Sequence, residues 1–237
     1  MKFFNKKNNK LIIEYGKQFF YTPKLEPAKN FIPNWYKNIM PVDTKNIKQL
    51  PARLNVKSCV PFLDSFMSGY MIILPMDIAV QKDPITKEPV ITWSVKEYSP
   101  VGVRDEWSTP NMEAPAGHER SHFVWSTQTS IKLPKGYSCL YTHPLNRYDL
   151  PFITLSGIID GDSMVARGNI PFYIRKDFEG IIKKGTPIIQ VIPFKRENWV
   201  SLENKELESL SIKTQEDEVL TTFNWYKKNN WKKKNYD

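Results

Sequence analysis

Between residues 133 and 195 the chain reads as short β-rich runs, 152–155, 170–174 and 188–192, separated by Gly, Asp, Asn and Pro. Runs of that length with turn residues between them are strands joined by tight connections. The stretch therefore specifies a compact antiparallel β unit. Within it, Lys183-Lys184-Gly185 supplies a turn that glycine enters at positive φ without steric cost, and the following TPIIQVIPF is an apolar run short enough for a buried strand.

Proline reinforces this reading. The chain carries eighteen prolines against ten glycines in 237 residues, and Pro23, Pro27, Pro33, Pro41, Pro51 and Pro61 interrupt any long helix in the first quarter. A hydrophobic share of 41% is enough for a real core, and the length suits one decorated domain. The net charge of +9 permits anionic partners but says nothing of fold or specificity. Two cysteines, Cys59 and Cys139, have no paired-ligand spacing, so no disulfide framework is expected and a reducing cytoplasm is the default location. MKFFNKKNNK has no apolar signal-like core, and no run approaches the roughly 18 apolar residues of a spanning helix, so a soluble protein without a membrane partner is expected.

In chain order, residues 10–21 read as a strand with a turn at Gly16. Pro33 opens a short helix with Trp35, Tyr36 and Ile39 on its apolar edge, and 42–54 read as a loop. A central strand is expected over 70–74 after a Ser68-Gly69 turn, followed by a hairpin through DPITKE into VITWSVKEY. Residues 99–117 are the longest irregular piece, an inserted loop of the kind that forms lids and binding loops. Residues 122–131 alternate as one strand. Past Lys195 the chain is charged and glycine-free. Thr214 followed by Asp217 resembles a helix start, with Val219, Phe223 and Tyr226 on one face and a basic tail from Lys227.

The organisation expected is an N-terminal extension with a short helix over 1–54, a β core over 55–200 holding the 99–117 loop, and a C-terminal helix with a basic tail over 201–237. The fold class is mainly β, an antiparallel clip or barrel-like core with a short N-terminal and a C-terminal helix.

His118-Glu119-Arg120-Ser121-His122 matches H-E-x-x-H by letter. That motif needs a helix to turn both histidines toward one ion; on a strand they lie about 13 Å apart at roughly 3.3 Å per residue. Pro115 and Gly117 before it and the β pattern after it favour the strand, so no metal site is assigned. No G-x-S-x-G, Walker A or G-x-G-x-x-G occurs. The carboxylate pair Asp160 and Asp162 in GIIDGD is the remaining catalytic candidate, although Asp beside Gly is equally the chemistry of a turn.

GIIDGD, Arg167-Gly168-Asn169-Ile170 and IIKKGTPIIQVI resemble the third and fourth motifs of the trimeric dUTP pyrophosphatases and dCTP deaminases. SGYMIILPMDIAV is similar to their first motif, LPKGY to the strand entry before their second, and the order agrees. The resemblance implies a β-clip core, with Asp160 matching the water-orienting carboxylate and Gln190 the glutamine of the fourth motif. Met71 stands at the position of the first-motif aspartate, HPLNRYD replaces the Arg-Ser-Gly phosphate grip, and no glycine follows Gly185. Without those groups hydrolysis lacks its transition-state stabilisation. More broadly, IPNWYKNI, the GY strand, LPKGY, PLNR and the KKG turn resemble uncharacterised proteins of bacteria and tailed phages.

Three functions follow as expectations: a phage-associated, non-catalytic binding or structural protein; a nucleotide or small-anion hydrolase in which Asp160 and Asp162 act with Asn146, Arg147 and Gln190 as ligand grip; and a virion or assembly component. No cofactor is expected. The partners to test are a nucleotide or other anionic small molecule and a second copy of the chain, in the host cytoplasm or a virion.

Overall fold

A computed structural model of the chain describes residues 9–17, 20–40, 55–104, 108, 110–165, 167–204, 207–220 and 225–237. The protein is mainly β, and every strand pairing among the described residues is antiparallel. In chain order the strands are β1 (Ile12–Tyr15), β2 (Leu25–Pro27), β3 (Tyr70–Ile73), β4 (Ile78–Lys82), β5 (Pro89–Thr92), β6 (Val101–Val103) and β7 (His118–Ser126). They continue as β8 (Thr129–Lys132), β9 (Tyr137–Thr142), β10 (Phe152–Thr154), β11 (Gly157–Ile159), β12 (Asn169–Arg175), β13 (Gly180–Ile182) and β14 (Pro187–Lys195). The helices are α1 (Asn34–Lys37), α2 (Val60–Met67), α3 (Leu207–Leu220) and α4 (Trp225–Asn229).

Four sheets result, ordered β11-β9-β14-β3-β2, β10-β12-β7-β6, β13-β4-β5 and β1-β8. None closes on itself among the described residues, so the core is a set of packed open sheets and not a barrel. The N-terminal segment takes part in this core: β1 lies along β8, and β2 along β3.

β14 organises the largest sheet. Its first five residues, Pro187 to Val191, are all buried, so it reads as a continuous apolar run and not as an alternation. Gln190 pairs with Met71 on one side and Thr142 on the other. Within the four-stranded sheet the Trp125 ring stacks on Phe172 at 3.6 Å and meets Phe152 edge-on. The Trp125 indole N–H donates to Thr154 Oγ1 at 3.1 Å, and that hydroxyl donates to the Ile188 carbonyl of β14 at 2.7 Å. A fully buried tryptophan is thus satisfied, and its partner ties two sheets together.

Two glycine turns stand where the punctuation predicts. Gly185 has φ +85° at the entry to β14. Gly69 has φ +72°, and a Cβ there would lie 2.1 Å from the Val191 carbonyl oxygen, so only glycine lets β3 start this close to β14. The helix opened by Pro33 forms as α1, with Tyr36 buried and Trp35 half-exposed against Phe62 and Phe66.

Several expectations are corrected. The hairpin through 83–88 joins β4 to β5, because β3 ends at Ile73 and belongs to a different sheet. The single strand over 122–131 is two, β7 and β8, broken where Gln128 adopts φ +48°. The 99–117 loop contains β6, which pairs with β7. FLDSFM, given no element from the sequence, forms part of α2, with Pro61 in its first turn, where a missing N–H costs nothing. The C-terminal helix is already formed at Leu207; Thr214 lies inside it, its hydroxyl donating to the Leu210 carbonyl. The loop at 42–54 and Phe223 lie outside the described residues. Beyond α4 the basic tail docks on the body: the Trp231 indole and the Lys234 ammonium both donate to Asp64 of α2, and Tyr236 meets Tyr70 edge-on at 5.9 Å.

Candidate functional site

The five residues singled out from the sequence fall into two clusters spaced along β14, one around Gln190 and one beside Arg196, just past the strand. Gln190 and Arg196 are six residues apart on extended chain, about 20 Å at 3.3 Å per residue. The acidic pair and the expected grip therefore do not share a site.

Around Gln190 the side chains are committed to structure. Gln190 is fully buried; its carbonyl accepts from the Leu145 N–H at 2.8 Å, and its amide donates to the carbonyls of Ser65 at 2.9 Å and Ser68 at 2.7 Å. Asn146, in the left-handed region at φ +59°, donates to Ser65 Oγ at 2.7 Å. Arg147 forms a two-pronged pair with Asp149, at 2.8 and 2.9 Å, and donates to the Phe31 carbonyl at 3.3 Å. His143 accepts at Nδ1 from the Thr154 N–H and donates from Nε2 to the Arg147 carbonyl. Burial lowers its pKa, which keeps it neutral and unsuited to holding an anion. This hub fastens the 143–150 loop to β14 and α2.

In the second cluster Asp162 accepts from both Arg196 guanidinium nitrogens and from the Gly136 N–H at 2.7 Å. The Arg196 hydrogen bonds, with that of Gly136, hold the Asp162 carboxyl well below the usual range. Asp160 accepts from Ser138 Oγ at 2.6 Å and from Arg196 at 3.2 Å. Arg196 also donates to the Tyr137 carbonyl at 3.1 Å. The pair thus secures residues 136–138, the entry to β9.

What that entry carries is a pocket of about 340 Å³. Tyr70, Tyr137 and Tyr236 line it, with Leu11, Leu133 and Pro193 adding apolar surface. Its polar groups are Asn9, Asn235, Lys10 and Asp237. The Asn9 amide donates to the Tyr137 hydroxyl at 2.6 Å, and the Asp237 carboxylate is taken up by Lys29. Burial raises the pKa of Tyr70 and of Tyr236, so both phenols stay neutral donors at neutral pH. Strands β3 and β9 supply two walls, and the two ends of the described chain supply the others.

Sequence reasoning did not reach these tyrosines as a site, although a signal was present. Tyr70 and Tyr137 each open a strand directly after a glycine at positive φ, Gly69 and Gly136. In each case the turn delivers the ring to the same end of the sheet.

The letters H-E-x-x-H lie on β7, where His122 is buried against Tyr173 and Glu119 pairs with Lys82. No group of three or more His, Cys, Asp or Glu among the described residues is placed to hold a metal ion. No described helix is long and apolar enough to cross a membrane.

The fold and site define a mainly β protein with an aromatic pocket built from strand entries and buttressed by an acid–arginine network. Compared with known proteins, the chain matches no family model and no curated protein.

Proposed function

We propose that this chain is a non-catalytic binding protein whose ligand is a nucleotide or a similar planar, anionic small molecule held in the tyrosine pocket. The observation that carries this reading is the lining itself: three tyrosine rings, two asparagine amides and Lys10 around about 340 Å³, with the Asp237 carboxylate beside them paired to Lys29. A volume of that order suits a small ligand. Tyrosine faces stack on planar bases, each asparagine amide offers a donor beside an acceptor, and Lys10 supplies positive charge for a phosphate. Asp160 and Asp162 support the reading as positioning residues: bound to Arg196, they hold Tyr137 in place instead of activating water. A place among phage-associated proteins, inside the host cell or in the virion, belongs to this proposal through the sequence resemblance alone.

Thermal unfolding against a panel of nucleotides and inorganic phosphate tests it. A true ligand at 100 times its dissociation constant adds about 2.7 kcal/mol. Tyr137→Ala is expected to weaken binding by about 1–3 kcal/mol. A flat panel, or a shift that Tyr137→Ala leaves intact, overturns the assignment.

A further inference from the structure

Between the body and the docked tail runs an arm, residues 197–220, whose chemistry is unlike the rest of the chain. It holds seven acidic residues and two lysines in a protein whose net charge is +9. It is also apolar where it meets solvent: Trp199 is 86% exposed, and Val200, Leu202, Leu207, Leu210 and Ile212 are exposed with it. Every side chain from Leu207 to Asp217 is exposed, so this part of α3 covers no core in its own chain. An exposed tryptophan followed by exposed Val200 and Leu202 is a binding anchor that its own body does not use.

The body carries a surface of matching character. A groove of about 540 Å³ runs along residues 111–118, with Met112 and Pro115 giving apolar lining and Arg120 and Lys176 giving positive charge. Glu113 is its single acidic lining residue. Lys176 and Arg120 make no ion pair among the described residues, whereas neighbouring Arg175 is paired with Asp177. The groove lies where β7 begins and β12 ends, and the arm leaves from Arg196, just past the end of β14. The tail then returns the arm to α2 through Asp64, so Trp199 and Leu202 stay off the groove of their own chain.

We infer that the groove is occupied by the arm of a second copy, with Trp199 and Leu202 on its apolar floor and Glu203 facing Arg120 and Lys176. Reciprocal seating of two arms gives a closed two-fold dimer, in which each copy offers the same arm and the same groove. Charge complementarity between acidic arm and basic groove sets the partner and makes association depend on salt. The inference is independent of the tyrosine pocket and stands or falls without it.

Sedimentation equilibrium of the full chain over a range of concentrations, at low and high ionic strength, tests it. The expected result is a dimer that weakens with salt. Trp199→Ala and Arg120→Glu are each expected to raise the dissociation constant at least about tenfold, the effect of losing one interface anchor. Both sites are on the surface, and circular dichroism confirms that the variants fold. Arg120→Glu combined with Glu203→Lys restores the dimer, because the charge pair is reversed and not removed. A wild-type chain that stays monomeric overturns the inference, as does a dimer indifferent to both single variants. Failure of the reversed pair to restore association overturns the seating of Glu203 against Arg120.

Discussion

Arg196 grips both carboxylate oxygens of Asp162, and the same guanidinium donates to the carbonyl of Tyr137, so one cation joins the acidic turn to the wall of the pocket. The pair has a defined pH signature. Asp162 has its pKa depressed in the folded state, so its contribution to stability is complete above the unfolded carboxylate pKa of about 3.9 and is lost as pH falls toward the folded value. Asp162→Asn is expected to lower the urea midpoint at neutral pH, with the gap to wild type closing in acid below about pH 4. A gap of constant size down to the lowest pH at which both fold would remove the ion pair as its cause.

Gln190→Leu removes an acceptor and a donor at a fully buried position and leaves the Leu145 N–H and two carbonyls unmatched. A loss of about 1–3 kcal/mol or more in chemical denaturation is expected from the stranded groups. Ligand affinity at the tyrosine pocket is expected to stay the same, since the residue lies six positions, about 20 Å of extended chain, from Arg196. Selective loss of affinity at full stability would make Gln190 a ligand residue.

Gly69→Ala tests the approach of β3 to β14. The new methyl would meet the Val191 carbonyl oxygen at 2.1 Å on a backbone already at φ +72°. The left-handed conformation alone costs roughly 1–2 kcal/mol, and separating the strands adds to it. Thermal denaturation of this variant beside Gly185→Ala, where the added methyl meets nothing, separates the two contributions.

The two cysteines differ in reactivity. Cys139 is buried in β9, and burial pushes its thiol up to about 12, whereas Cys59 is exposed. At pH 8 a thiol reagent is expected to modify one cysteine per folded chain, with the second reacting only on unfolding. Equal rates at both in the native state would contradict the buried position of β9.

Asp64→Asn weakens the acceptor for Trp231 and Lys234 while keeping its shape. Hydrogen bonds to a charged group contribute about 1.5–3 kcal/mol, so the tail is expected to become the first site of limited proteolysis. Because Tyr236 travels with the tail, the tyrosine pocket loses a wall, and ligand affinity falls in parallel with protection.

Mainly β character, antiparallel pairing, the Gly69 and Gly185 turns and the short helix behind Pro33 were all legible in the sequence. They arise from local chemistry: branched and aromatic residues favour extended backbone, glycine alone enters the positive-φ turns freely, and proline preorganises a first helical turn. That a turn stands at Asp160-Gly161-Asp162 was legible for the same reason. Which strands lie side by side was not, because a hairpin drawn from 70–74 into VITWSVKEY and the observed pairing of β4 with β5 satisfy the same local pattern. Only the tertiary structure decides how the sheets meet, with the Thr154 hydroxyl accepting from Trp125 in its own sheet and donating to the Ile188 carbonyl of the other. The pocket belongs wholly to that second level. Asn9, Tyr70, Tyr137 and Tyr236 are far apart in the chain and individually ordinary, and a pocket exists because residue 136–138 backbone, held by Arg196, and a tail anchored on Asp64 bring them to one end of one sheet.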